Sequence, residues 1–545
     1  MKTKRIDVKT ILRTLMPIVL IAAVVLPASG QAGQQQGSKT IPLSQVERKN
    51  RAPVSKDVLK VTLPKPTETT LPNGLTVLIL EDHRLPTVNA QVQIPGSGAI
   101  FEPADRPGLA VITAQMLTLG TTSRTSKQIA EDVDRLGASV FANSGFGSGA
   151  SAISASGLSD NFDQWFTVAV DVLLHPNFPD DELAKLKQRL KANLKQQRSQ
   201  PGFLVNERFN RAVYGNFPAA VTSMTDASLD AFTSAELKRW HDARYAPQNA
   251  ILGISGDVDS KTLIPKLQKW FAEWQKNDAS EKLPSKTTPT TAKQIYLVDR
   301  PNSVQTTIAM GNIAIDRWDP DHPTMVVLDQ LFGSGPQSRL FMNLRENKGY
   351  TYGVYSSFSP VKYAGAWRAG GDVRTEVTDG AMTEFLVELN RLRNEKVSAA
   401  ELDDAKHAIV SAFALSLEQP ATLLSYAITR KLYNYPADYW DKYPEHIMAV
   451  TADDIQRVAK KYYNPETMQI VAVGDASKIK SVMEKYGPVE MYTTDGKPVP
   501  KPAPGMQMVM VMFPGCGKWG PIEARRTSMT STRDDSCFLT VNVPF

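Results

Sequence analysis

The chain has 545 residues, of which 42% are hydrophobic and 22% charged. That length implies at least two cores, and the composition is that of a globular protein rather than a disordered or fibrous one. The formal charge of +6 falls to +2 without residues 1–30, which hold five basic side chains and one acid, so neither nucleic acid nor an anionic membrane is expected as the main partner.

Residues 1–30 read as a signal peptide. Basic Lys2, Lys4 and Arg5 precede an apolar run over 15–26, and the small residues Ala28, Ser29 and Gly30 follow. The run is short for a spanning helix and contains Pro17, so export to a periplasmic or extracellular location is expected, with an uncleaved signal acting as membrane anchor the alternative. Residues 31–66, rich in Gln, Lys, Ser and Pro, read as a flexible lead-in. Asn73-Gly74 marks a turn before a strand over 75–80, and a second strand is predicted over 87–94. Residues 137–156 read as a hairpin, and Phe162, Trp165, Phe166, Ala169, Val172 and Leu173 carry a helical period. Leu183, Leu186, Leu190 and Leu194 form another helical stripe. Lys185, Lys187, Arg189, Lys191 and Lys195 lie on the rest of that helix and read as a solvated basic face. A Pro/Thr/Lys-rich stretch over 283–293 reads as a linker. The Pro-rich tail, 491–545, contains a Met/Val run over 506–513 and both cysteines, Cys516 and Cys537; disorder or a peripheral attachment is expected for it.

An internal repeat organises the chain. Residues 177–201 align without a gap to 396–420, pairing Glu182 with Glu401, Leu183 with Leu402, Lys187 with Lys406, Gln200 with Gln419 and Pro201 with Pro420. Farther on, Tyr245-Ala246-Pro247 leading to Gly256-Asp257 is echoed by Tyr463-Asn464-Pro465 leading to Gly474-Asp475. Two related lobes follow, near 67–275 and 290–490. Strands and helices are mixed within each lobe, so the expected class is α+β.

The stretch Gly98-Ala99-Ile100-Phe101-Glu102-Pro103-Ala104-Asp105-Arg106-Pro107-Gly108-Leu109-Ala110 resembles the approach to the metal helix of insulinase/pitrilysin-family zinc peptidases, the group that includes mitochondrial processing peptidase. The resemblance spans roughly residues 67–490 and implies two homologous lobes, each a mostly antiparallel sheet packed with helices, in a clamshell-like arrangement. In that family the helix carries His-x-x-Glu-His, two imidazole ligands four apart with a general base between them. The matching positions here are Val111, Ala114 and Gln115. The family's third ligand, a Glu on a later helix, falls in residues 183–200, which contain no acidic residue. The histidines, His83, His175, His241, His322, His407 and His446, are too scattered in sequence to suggest a replacement site. In the second lobe, Leu331-Phe332-Gly333-Ser334-Gly335-Pro336 leads to Arg345 and, seven residues on, Tyr352. The resemblance implies that this pair holds substrate and stabilises the tetrahedral intermediate. Tyr350 is a neighbour at the wrong spacing.

The resemblance implies a subunit that lacks the zinc motif and keeps the Arg/Tyr pair. The expected function is a non-metal-binding subunit of an exported heteromeric zinc peptidase. It would bind peptide and present Arg345 and Tyr352 in trans to a homologous, zinc-motif-bearing partner. No cofactor is expected in this chain, zinc is expected in the partner, and the chain alone is expected to be inactive. The alternative is a catalytically inactive homologue acting as a structural or peptide-binding protein.

Overall fold

The two Gln-Pro pairs of the repeat are helix starts. Gln200 and Gln419 are N-caps in extended conformation, and Pro201 and Pro420 follow at the first helical turn. There proline has no intrahelical N–H to lose and its ring fixes φ at a helical value. Each pair ends one helix and sends the chain off in a new direction; the second corner turns by 109°.

The computed structural model describes residues 58–283 and 287–500, together with the backbone of 506–513, 529–531 and 537–544. The first lobe contains β1 (Thr67–Thr70), β2 (Thr76–Glu81), β3 (Thr87–Pro95), α1 (Leu109–Met116), α2 (Ser126–Arg135), β4 (Ser139–Ser144) and β5 (Ala150–Leu158). It continues through α3 (Phe162–Leu174), α4 (Asp180–Gln197), α5 (Pro201–Tyr214), α6 (Asp226–Ala231), α7 (Ser234–Arg244), β6 (Ile251–Gly256) and α8 (Ser260–Trp270). The second lobe contains β7 (Gln294–Asp299), β8 (Gln305–Ile313), α9 (His322–Phe332), β9 (Thr351–Phe358), β10 (Ala366–Arg374) and α10 (Thr378–Asn394). It continues through α11 (Ala399–Ser416), α12 (Pro420–Leu432), α13 (Tyr443–Met448), α14 (Ala452–Tyr462), β11 (Gln469–Gly474), α15 (Ala476–Glu484) and β12 (Val489–Tyr492).

From β2 to α8 the first lobe repeats in the second, element for element, with a π-helical segment, Phe341–Asn347, in place of α2. Each lobe has a six-stranded sheet, ordered β1-β2-β6-β3-β5-β4 and β12-β7-β11-β8-β10-β9. Most neighbours are antiparallel; β2–β6, β7–β11 and β7–β12 are parallel. The repeat partners noted in the sequence occupy equivalent sites: α4 matches α11, and Gly256 and Gly474 end β6 and β11.

The lobes exchange helices. On β6, Leu252 and Ile254 face the first lobe's own core, while Ile251 packs against Leu424, Ala427 and Ile428 of α12 from the second lobe. On β11, Ile470 and Ala472 face the second lobe's core, while Val471 and Val473 pack against Leu204, Val205, Phe209 and Val213 of α5 from the first. Both strands are buried along their whole length. This double burial explains why they read as unbroken apolar runs rather than alternating ones. Polar contacts reinforce the junction: Tyr363 Oη donates to Gly147 O at 2.8 Å, and the Ala366 N–H donates to Tyr214 Oη at 3.0 Å.

Two boundaries differ from the sequence reading. Residues 58–66, expected in the flexible lead-in, lie against the second lobe: the Leu63 N–H donates to Asp441 Oδ1 at 2.9 Å, and Leu59 packs on that core. The tail, expected to be disordered or peripheral, supplies the last two residues of β12 at the sheet edge, where the Val499 N–H bonds Met491 O. It also forms an antiparallel sheet ordered β13-β15-β14 from β13 (Met506–Phe513), β14 (Met529–Ser531) and β15 (Cys537–Pro544). The signal peptide, the rest of the lead-in and Cys516 lie outside the described residues.

Phe209 is 2% exposed and carries the α5 contact with the second lobe's sheet. Phe209→Ala is expected to lower unfolding stability by about 3–5 kcal/mol, read as a drop in the urea midpoint. An unchanged midpoint would show that this contact does not hold the lobes together.

Candidate functional site

Helix α1 is apolar almost all round, and Ala110, Ile112, Thr113, Ala114 and Met116 are fully buried. Its entry is set by Gly108, which has φ +95° and where a Cβ would meet Met224 Cγ at 2.4 Å, so only glycine fits. Glu102 anchors the helix start: its carboxylate accepts the N–H groups of Gly108 at 2.8 Å and Ala110 at 2.6 Å. A negative charge is favourable at a helix N-terminus. Burial nevertheless dominates and pushes the Glu102 carboxyl up to about 7.

Val111 and Gln115, four apart on one helix face, line a cavity of about 400 Å³. Ala114 is fully buried and turned away from it. The facing wall is α4, through Arg189, Leu190, Asn193, Leu194 and Gln197; Phe146, Phe203, Met224 and Leu229 complete the apolar lining, and Thr222 and Ser223 add two hydroxyls. Zinc sites use thiolate, imidazole or carboxylate ligands. This cavity offers apolar side chains, amides, the hydroxyls of Thr222 and Ser223, the Met224 thioether and a guanidinium, none of them such a ligand, so the residues present do not fit a zinc ion. Among the described residues no group of three or more His, Cys, Asp or Glu is placed to hold a metal.

The basic face of α4 is largely engaged. Lys185 pairs with Asp181 and Glu182, Lys187 Nζ donates to Phe232 O, and Lys191 pairs with Asp230. Arg189 has no such partner among the described residues. The histidines stay apart. His83 bonds Asp257 and His175 bonds Asp171, while His241 bonds Leu173 O. His322 is buried with neither ring nitrogen bonded, and burial lowers its pKa to about 3.

In the second lobe two backbone irregularities bring Arg345 and Tyr352 together. Arg345 sits on the π-helical segment, a rare form of helix that is frequent at functional sites. That segment is tied down by its neighbours. Arg339 makes a bidentate pair with Glu401 at 2.6 and 2.9 Å, Asn343 bonds Glu384 and Glu388, and Lys348 pairs with Glu384. Tyr352 sits in a β-bulge: Tyr352 and Gly353 together oppose Asp372, between the pairs Thr351↔Val373 and Val354↔Gly371. Thr351 Oγ1 fixes the bulge by donating to Asp372 O at 2.6 Å and accepting the Gly353 N–H at 3.0 Å.

Along β9, Val354 and Ser356 face inward. In regular alternation Tyr352 would do so too; the bulge turns it out, and it is 88% exposed. The Arg345 guanidinium lies over the Tyr352 ring at 5.0 Å and the Phe341 ring at 4.6 Å. Tyr350 packs on the second lobe's core instead. Neither Arg345 nor Tyr352 lines the cavity at Val111 and Gln115, whose walls all come from the first lobe. The bulge, the Glu102 anchor and the unpaired Arg189 were not read from the sequence.

This chain belongs to the insulinase-like M16 peptidase family. Residues 76–227 match the model described as insulinase (peptidase family M16), and residues 231–409 match the one described as the peptidase M16 inactive domain. An uncharacterized zinc protease of Rickettsia felis is 27% identical over 74% of this chain and 96% of its own length. The zinc protease YmxG of Bacillus subtilis is 24% identical over 65% of this chain and 85% of its own length. Among solved structures, a peptidase M16 inactive domain from Pseudomonas fluorescens is 26% identical with a TM-score of 0.69, covering 75% of this chain and 98% of its own. A Helicobacter pylori protease shares the fold, with a TM-score of 0.70 at 19% identity, covering 76% of this chain and 100% of its own.

A carboxyl held near pH 7 by burial makes folding pH-dependent with a fixed sign. The unfolded Glu102 titrates near 4.5 and the folded one near 7, so the native state binds more protons in between, and stability falls as pH rises across that window. Glu102→Gln is expected to remove a fall of roughly 3 kcal/mol between about pH 4.5 and 7, measured by denaturant titration at several pH values. Parallel pH profiles for the two proteins would refute this role.

Proposed function

We propose that this chain is the non-metal-binding subunit of an exported heteromeric zinc peptidase, and that it works by presenting Arg345 and Tyr352 to a homologous partner. One observation carries the reading. A π-helical segment and a β-bulge, each anchored by several hydrogen bonds, hold a guanidinium and a phenol side by side at the surface. A packing role would bury the tyrosine.

Hydrolysis of a peptide bond builds negative charge on the carbonyl oxygen. The Arg345 N–H groups and the Tyr352 O–H are donors fixed in advance for such an oxygen. The metal, the general base and the attacking water would be the partner's, since Val111, Ala114 and Gln115 supply none of them. Extended peptide would add to an exposed sheet edge through its backbone, and β4 and β9 are the edge strands beside the two halves of the site. The second reading is a catalytically inactive, peptide-binding or structural homologue. The match of residues 231–409 to the inactive-domain model is the observation that favours it.

The test is peptide hydrolysis by the purified chain, alone and mixed with a zinc-motif homologue from the same organism. No turnover is expected alone and turnover in the mixture, with Arg345→Ala and Tyr352→Phe each lowering it about a hundredfold. Chelator-sensitive turnover by the chain alone would overturn the proposal. Stable association without turnover would favour the second reading.

A further inference from the structure

The cavity at Val111 and Gln115 is sizeable although its residues do not fit a metal, and its wall has a definite chemistry. About 400 Å³ is within the range of pockets that enclose small ligands. The floor is mainly apolar, from Val111, Phe146, Leu194, Phe203, Met224 and Leu229, and Thr222 and Ser223 add hydroxyls to the lining. The rim carries three neutral amides, Gln115, Asn193 and Gln197, and one cation, Arg189; no acidic residue lines it. Lys185, Lys187 and Lys191 on the same helix, and Arg198 just beyond it, are each bonded to a carboxylate or carbonyl, and Lys195 does not line the cavity. Arg189 alone of these faces the cavity, and it does so without a counter-ion among the described residues.

We propose that this cavity is a carboxyl-terminus pocket, taking the last residue of a peptide that ends in an apolar side chain. The terminal carboxylate would pair with the Arg189 guanidinium, whose forked N–H groups match two carboxylate oxygens. The amides of Gln115, Asn193 and Gln197 would bond the last peptide groups, and the apolar floor would hold the terminal side chain. A peptide amine terminus, a polyamine or a metal cation finds no anion there. The inference rests on the peptide-binding part of the function proposed above and is independent of a zinc partner.

The experiment uses the full chain without partner and an N-terminally labelled hexapeptide ending in Phe, as free acid and as C-terminal amide, followed by fluorescence anisotropy. The acid is expected to bind at least about tenfold more tightly than the amide. Arg189→Gln should bring the acid to the affinity of the amide, and Arg189→Lys should restore part of the difference. Arg189 is exposed and unpaired, so neither change threatens the fold. Val111→Phe, which fills the floor, should weaken both peptides. Equal binding of acid and amide, or a preference that survives Arg189→Gln, would overturn the assignment. Failure to bind either peptide would overturn it as well, and would leave the two-chain assay unaffected, since that assay reads Arg345 and Tyr352.

Discussion

The exchange of α5 and α12 between lobes is the constraint on which the rest depends. β6 and β11 each have two apolar faces, and each lobe covers only one of them with its own helices. The second face is closed by a helix that belongs, in sequence, to the other lobe. Neither lobe could fold alone without exposing a patch of Val, Ile and Leu to water, so the lobes are fixed to one another by burial rather than by their linker. The corner at Gln200-Pro201 therefore does two jobs. It sends α5 to the second lobe, and it leaves α4 behind as a wall of the cavity, with Phe203 from the first turn of α5 closing one side.

Two lobes built on one plan make their differences informative. β4 and β5 pair in unbroken register, whereas the equivalent β9 and β10 carry the bulge at Tyr352. The regular helix α2 is replaced in the second lobe by the π-helical segment that holds Arg345. Irregular backbone costs free energy and persists only where neighbours enforce it. Here the Arg339–Glu401, Asn343–Glu388 and Lys348–Glu384 contacts do so. In the first lobe the backbone stays regular beside the cavity.

Much of this was legible in the sequence, for physical reasons. The repeat could be seen because Gln-Pro at a helix start and Gly at a strand end are backbone requirements, which a duplicated fold imposes twice. The leucine stripe of α4 was legible because burial against one core enforces the helical period, and Leu183, Leu186 and Leu194 are the buried residues. The helix exchange was not, because the apolar face of α5 does not say which sheet it covers. The bulge leaves no mark in composition, since one extra residue in a strand looks like any other. The ordering of residues 58–66 was missed because it rests on one backbone bond and one leucine, too little to lift a polar segment above a linker.

The electrostatics of the first lobe's cavity follow from the same economy of burial. A carboxylate facing an apolar cavity, with no metal and no paired cation, is costly enough that it would hold a proton instead. Glu102, a short distance along the chain, illustrates the size of that effect: even with two backbone N–H donors its carboxyl is pushed up to about 7. A wall without imidazole at Val111 and Gln115 is thus consistent with a wall without acid on α4. A lone acidic side chain on this wall would be an unbalanced charge. Neutral amides carry no such cost, and a long arginine can keep its head at the mouth of the cavity while its stem covers apolar surface. The side chains at Val111, Ala114, Gln115 and along α4 therefore form one coherent set, and the sign of the field in the cavity is set by Arg189.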